Sequence, residues 1–553
     1  MSETAAFDEL AREFFGVWFR FHPDAALRAG VADFGALLPA QADDDHAALG
    51  NWLETLIVAL EEFDYGALDP ERQIDLQLMF ALARVEHREM LERDWRHRDP
   101  VRFLPLTAIH YLTLLSPEGM RDALSALLTA VPSHLRLALA QLKPMAALVP
   151  AVLVQESIEA AEDGRRYLRV LCRSRWLRGH CHGCGELEAQ AETAGEALRQ
   201  YAAALRREIA PVAAGKAGCG SEHLGFLLRH RHLLDVDPSD CGPLLDVLVA
   251  QCEEQLAVLS NASPATVPEA TAVPRPASEA AAVRDLLRAE CEAMAERVEC
   301  GMGISPPTAP LRIAGGPACP RSGSARIDYV PDLGKAEGLL YIPDGDEHCT
   351  GDATPAEMRL RCSRLGWGGR HTLTFGGGMA ARSLPRRLAA ADTLSGGWAL
   401  YQDRRLFDLA GDDAEKRAAL RQRHQAIVTA RVDLDLHRGS IDTGLAAERL
   451  QQVAAAPETT ALHRLAQVVR HPGAALAEVL GWQLIEAAAS LDGGPEARVL
   501  HQRLLGQGPI PLALALREAL GETHWQAAWR AAGFGAAPNQ VNARLSQAGA
   551  PSA

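Results

Sequence analysis

The sequence predicts a mainly α-helical fold: two helical halves around a central cleft, with a small β-sheet in the second half. Three observations lead there. Apolar residues recur at helical spacing almost throughout the first 260 positions, a proline-rich stretch follows, and short β-prone runs appear only after residue 300.

Taken in order, Phe7, Leu10, Phe14 and Trp18 form one apolar stripe that ends at His22-Pro23, because the residue before a proline is pushed out of helical geometry. Asp69-Pro70-Glu71 opens a second helix with Ile74, Leu78, Leu82 and Val85 on one face. Further helices are expected over 121–131, 134–142, 186–209 and 242–259. Residues 261–278 carry four prolines and almost no charge and read as an exposed crossing between the halves 1–260 and 279–536. A helix follows over 279–299, then β-prone runs at 309–314, 324–330 and 338–342. Thr354-Pro355 resembles another helix start, and the chain reads as mostly helical from there to a polar tail, 537–553.

Composition and charge narrow the function classes. The 553 residues, 48% hydrophobic and 23% charged, exclude a wholly disordered chain. Acidic residues are spread along the chain and give a net charge of −15, a field that repels phosphate backbones, so no nucleic-acid partner is expected. The longest nearly apolar stretch, 144–154, contains two prolines and falls short of the ~20 residues a membrane helix needs. Met1-Ser2-Glu3-Thr4 is not followed by a basic segment and an apolar core. No membrane partner and a cytoplasmic location are therefore expected. Eleven scattered cysteines argue against a disulfide framework. Cys172, His180, Cys181, His182 and Cys184 have zinc-type side chains, but no second pair follows at a defined spacing. They read either as a metal site or as a loop of free thiols.

The densest stretch is 361–401, RCSRLGWGGRHTLTFGGGMAARSLPRRLAAADTLSGGWALY. Ser395-Gly396-Gly397-Trp398-Ala399-Leu400-Tyr401, then Asp433 and His437, then Pro472-Gly473-Ala474-Ala475-Leu476 with Gly481, then Leu500-His501, Leu504-Leu505, Gly508 and Pro511-Leu512 follow one another. In that order they resemble motifs of the bacterial domain of unknown function 885 family, and Gly220-Ser221-Glu222-His223-Leu224 in the first half is similar to it too. The resemblance covers nearly the whole chain. It implies a largely helical fold like that of zinc metallopeptidases, with H-E-x-x-P-G-H-H on one segment and S-E-G-W-A-L-Y some twenty residues later.

The departures are chemical. With the final histidine of the first motif on His371, its leading His-Glu pair falls on Arg364 and Leu365, and the other histidine on Arg370. The glutamate of the second motif falls on Gly396, and a tyrosine of the fourth segment becomes Glu478. Zinc needs imidazole, thiolate or carboxylate, and arginine has no lone pair to offer. On this alignment the metallopeptidase chemistry has been dismantled, and neither a metal nor a cofactor is expected. Gly366, Gly368 and Gly369 should also break the helix that carries Arg364 and His371.

Several readings stay open on the residues alone. Arg364 and Arg370 either pair with carboxylates, for example Glu478 or Asp433, or bind an anion. Trp398 and Tyr401 are core or ligand platform. His371, His437 and His501, with Tyr401, are the candidate acid–base groups, or packing residues. Asp344, Asp346, Glu347, His348 and Cys349 form either a solvated acidic turn or a displaced metal site. The expected function is a catalytically degenerate metallopeptidase-like protein binding a small anionic molecule, a peptide or a paralogous protein. The alternative is a metal-independent hydrolase or lyase using the histidines and arginines of the same cleft.

Overall fold

The computed structural model describes residues 2–180, 185–262, 280–317, 319, 327–344, 354–454 and 458–534. The first helix, α1 (Glu3–Trp18), starts at Ser2, whose hydroxyl accepts the Ala5 amide, and buries Phe7, Phe14, Phe15 and Trp18. These rings pack with α2 (Pro23–Arg28), α3 (Asp43–Glu61) and α4 (Pro70–Arg93). Asp69 caps α4 by accepting the amides of Glu71 and Arg72, as its place before Pro70 predicts.

The next group is α5 (Leu106–Leu115), α6 (Met120–Leu142), α7 (Ala151–Arg173), α8 (Arg175–His180) and α9 (Gly185–Ala204). The sequence predicted two helices across Pro132, but α6 is one continuous helix with that proline inside. Leu124, Leu127, Leu128, Val131, Leu135 and Ala138 all bury on one face of it, and that burial outweighs one lost hydrogen bond. The segment Met120–Leu148 is long and apolar enough to cross a membrane by composition. The apolar stretch singled out from the sequence was therefore not the longest one. In the fold α6 is a core helix that packs against α9.

Helices α10 (Ser221–His230), α11 (Pro238–Ala262) and α12 (Ala280–Met302) lead to the sheet. Its strands are β1 (Leu311–Pro317), β2 (Asp328–Asp332) and β3 (Glu337–Asp344), in the order β1-β3-β2. β1 runs parallel to β3 with Leu311 opposite Gly338, and β2 runs antiparallel to it with Asp328 opposite Tyr341.

Then come α13 (Pro355–Leu365), α14 (Arg370–Gly376), α15 (Leu384–Arg387) and α16 (Asp392–Asp403), followed by α17 (Asp413–Arg438), α18 (Thr443–Ala454) and α19 (Glu458–Arg470). The chain closes with α20 (Ala474–Ala489), α21 (Ala497–Gly506), α22 (Leu512–Leu520) and α23 (Glu522–Ala531). Thr354 and Glu357 form a reciprocal capping box at the start of α13. The helix breaks where the glycines predict: Gly368 has φ 84°, a conformation side chains avoid, and α14 restarts at Arg370.

The cores do not divide where the composition does. From the first half, α10 and α11 supply Leu224, Leu228, Leu245 and Cys252 to the core built on α16, α17 and α20. In return Val330, Leu339 and Tyr341 of the sheet pack into the core of α5, α6, α7 and α9. The crossing at 261–278 and the tail at 537–553 lie essentially outside the described residues.

Candidate functional site

α16 and α20 touch backbone to backbone, which sets the geometry of the site. A Cβ on Gly397 would fall 2.6 Å from the Gly481 carbonyl carbon, so no side chain fits there. At the preceding residue, a Cβ on Gly396 would lie 2.8 Å from Glu478 Cβ and 2.5 Å from its Cδ. The position at which the family pattern carries glutamate is thus filled by a glutamate from the neighbouring helix.

Glu478 is only partly covered and makes no hydrogen bond or ion pair among the described residues. Desolvation pushes its carboxyl up to about 7; Asp392 adds to this, whereas Arg370 and Arg364 act against it. Arg370 is exposed and pairs with no carboxylate among the described residues. Its charge is felt by Tyr111 on α5, Asp328 on β2 and Glu478 on α20. Arg28 of α2 lies 5.7 Å from the Tyr111 ring centroid. Elements of both halves therefore meet around Arg370 and leave it solvated. This is the cleft.

Arg364 pairs with a carboxylate, as one expectation had it, but with neither of the two suggested from the sequence. Its guanidinium closes on Asp403, with Nε donating at 2.8 Å and a second nitrogen donating to the same oxygen. Asp403 is fully buried and its other oxygen, Oδ1, has no hydrogen-bond partner. The predicted pairings of Arg364 with Glu478 or Asp433 do not form: among the described residues its ion pair is with Asp403, at the C-terminal end of α16. Asp433 has another task. Its carboxylate accepts the amides of Gly473 at 2.9 Å and Leu476 at 3.1 Å, capping α20 from α17. Burial pushes it up to about 7 against the pull of those amides.

The three histidines expected as acid–base groups are buried and held by neighbouring groups. His371 faces the Ala309 carbonyl at 2.9 Å and the Tyr329 hydroxyl at 3.2 Å, pinning α14 to the sheet. His437 accepts the Cys219 amide at 3.1 Å, so its other nitrogen donates to the Val468 carbonyl at 3.0 Å. Desolvation holds both rings down near about 4. His501 lies between the Met302 carbonyl at 2.9 Å and the Tyr401 hydroxyl at 2.8 Å. Trp398, whose indole donates to the Gly368 carbonyl at 2.7 Å, packs edge-on against His501. Trp398 and Tyr401 are 1% and 0% exposed, so they are core and not a platform. None of these five side chains opens into the cleft. Their helical spacing put them on the inner faces of α14, α16, α17 and α21, and the inner faces are packed.

Zinc, which the family resemblance implies, does not fit this donor set. Arg364 is committed to Asp403, and the space before Gly396 is taken. Among the described residues no three His, Cys, Asp or Glu side chains converge in a way that could hold a metal. Cys172 is buried with its thiol directed at the Leu187 carbonyl, 3.7 Å away. Cys181, His182, Cys184, Asp346, Glu347, His348 and Cys349 lie outside the described residues.

Sequence reasoning passed over Asp403, Asp392, Asp328, Tyr111 and His232. Asp392 sat inside the dense segment and begins α16, and Asp403 ends that helix two residues beyond the segment. Asp328, Tyr111 and His232 carried no local signal.

A mainly helical fold with a small three-stranded sheet is the class of protein that the geometry defines. The chain belongs to the family described as "Bacterial protein of unknown function (DUF885)", which matches residues 23–520. None of the curated proteins matches it. Two solved structures share the fold. "The putative lipoprotein from Colwellia psychrerythraea" is 15% identical with a TM-score of 0.78, covering 94% of this chain and 99% of that one. "A putative lipoprotein of unknown function from Shewanella oneidensis" is 13% identical with a TM-score of 0.69, covering 92% and 98%. These names overturn the cytoplasmic expectation, since lipoproteins are tethered to a membrane. That expectation rested on the lack of a visible leader, and a lipid tether outside the folded body leaves no mark on the composition of the body.

Proposed function

We propose that the chain is a binding protein of metallopeptidase-like ancestry that has given up metal chemistry, and that its cleft takes a small anionic ligand or the carboxylate of a peptide at Arg370. The single observation that carries this reading is the contrast between the two arginines. Arg364 is closed on Asp403, whereas Arg370 stands solvated and unpaired among the described residues. A guanidinium is always charged and offers a planar fork of donors suited to carboxylate or phosphate.

An enzymatic reading is favoured by one feature only, the Glu478 carboxyl, which titrates near neutrality as an acid–base group must. The histidines named for that role from the sequence have no path to a substrate. A paralogous protein partner is the remaining version of the binding reading.

A thermal-shift screen of small carboxylates and phosphate tests it. An anion that binds raises the melting temperature by mass action, and Arg370→Gln removes the gain. Absence of any anion-dependent shift in the wild type overturns the reading.

A further inference from the structure

We propose that Cys291 of α12 and Cys362 of α13 are a disulfide-forming pair, oxidised by an external disulfide as the chain folds. Their bond staples the helix that carries Arg364 to α12.

The two thiols meet where these helices pack. Cys291 and Cys362 hydrogen-bond to each other through their side chains, and the contacts on either side bracket the pair. Cys362 Sγ lies 3.9 Å from the carbonyl of Leu287, one turn before Cys291 on α12. Side chains on a helix lean back toward its N-terminus, so Cys291 reaches over that same turn. From the other direction, a Cβ on Gly366, one turn after Cys362, would lie 3.7 Å from Cys291 Sγ. Both sulfurs thus share one interhelical space. Cys291 is 3% and Cys362 1% exposed, and Leu287, Met358, Tyr329 and Leu340 belong to the same core cluster. A disulfide draws two such sulfurs together to about 2 Å.

A metal is the poorer occupant of this space. Among the described residues no third ligand converges with the two thiols, and the Glu290 carboxylate is held by Arg359 Nε at 3.1 Å.

Burial sets the timing of the reaction. The hydrogen bond with Cys291 and then desolvation raise the Cys362 thiol well above its ordinary range; Glu290 adds to this and Arg361 opposes it. The folded pair therefore yields almost no thiolate, and a bulky oxidant has no path to it. Exchange belongs to the assembling chain, in which both thiols are solvated. One cysteine thiolate attacks a sulfur of oxidised glutathione and expels a glutathione thiolate. The second cysteine thiolate attacks the protein sulfur of that mixed disulfide and expels the other glutathione. Two protein thiols are oxidised, one external disulfide is reduced to two thiols, and the protons lost by the cysteines end on glutathione. The bond closes residues 291–362 into a loop and so restricts the unfolded chain. Arg364, two residues after Cys362, is then held in place for Asp403 by a covalent link as well as by its ion pair.

The experiment is refolding of the full chain from urea in reduced and oxidised glutathione, followed by alkylation, intact mass and non-reducing peptide mapping. The expected product is lighter by about 2 Da for one bond and yields a cross-linked peptide pair joining 291 to 362. Its melting temperature should exceed that of the chain refolded in dithiothreitol by about 2 °C or more. Cys291→Ala and Cys362→Ala should each abolish the cross-link and the difference in melting. The wild-type map decides even where a variant fails to fold, and the same map on folded protein incubated with oxidised glutathione covers a poor refolding yield. Alkylation of both 291 and 362, or their cross-linking to other cysteines, overturns the pair. Equal melting of oxidised and reduced protein overturns the staple.

Discussion

The Glu478 side chain occupies the space in which a side chain on Gly396 would have to lie, with its Cβ 2.8 Å and its Cδ 2.5 Å from a Cβ built there. Side chains at both positions cannot stand in that space, so Gly396 and Glu478 are sterically coupled.

The first prediction follows from that exclusion. Gly396→Ala alone should destabilise the protein by about 1–3 kcal/mol, the usual cost of overpacking. In a Glu478→Ala background only the 2.8 Å contact to Cβ remains, so the cost should fall, and replacing glycine in a helix offsets roughly 1 kcal/mol of it. Urea denaturation of the four-member cycle should return a coupling of at least ~1 kcal/mol. Simple additivity would show that the two positions do not compete.

Glu478 should also leave a mark on stability against pH. Its carboxyl is raised from 4.5 to about 7 in the fold, so between those values the native state holds a proton that the unfolded chain has lost. Its contribution is complete below pH 4.5 and is lost as pH rises through 7. Glu478→Gln should change little at pH 5 and stabilise by on the order of 1–2 kcal/mol at pH 8, partial solvation having reduced the full linkage value. A variant equally stable relative to wild type at both pH values would contradict this.

The two arginines should behave oppositely. Arg364→Ala leaves Asp403 buried and unpaired, and should cost roughly 3–5 kcal/mol. Arg370→Ala removes no contact among the described residues and should fall within about 0.5 kcal/mol of wild type. Chemical melts of both variants check the contrast, and equal losses would mean that Arg370 carries a structural load.

His437 ties the segment at Cys219 and Gly220 to α17 through its ring and its own carbonyl, which accepts the Gly220 amide at 2.9 Å. His437→Ala should destabilise by about 2–4 kcal/mol and speed hydrogen exchange at the Cys219 amide. The ring is held down from 6.5 to about 4 by burial. Its contribution is therefore present above pH 6.5 and lost as pH falls through 4, so the variant should show a shallower acid limb than wild type.

Chelation should be without effect. Protein purified without chelator is expected to hold far less than one zinc per chain, and excess EDTA should leave its melting curve unmoved. One tightly bound zinc lost in Arg364→Ala would show the alignment of the degenerate segment to be wrong.

By itself the sequence determined the helical class, the sheet in the second half, the caps at Asp69 and Thr354, and the break between Arg364 and Arg370. All of these are local: a cap, a proline or a glycine acts within a turn of its own position. It also determined that Arg364, Arg370 and Gly396 cannot ligate zinc, because neither an arginine nor a glycine side chain offers a lone pair wherever the chain folds. Tertiary structure decided the rest. Whether a histidine at helical spacing is a base or a strut depends on what packs over it, and His371, His437 and His501 are all covered. The partner of Arg364 was settled by the crossing of α13 with α16, and the place of Glu478 by the contact of α16 with α20. Such contacts join residues far apart in the chain, and no local pattern encodes which of several carboxylates will stand opposite a given charge.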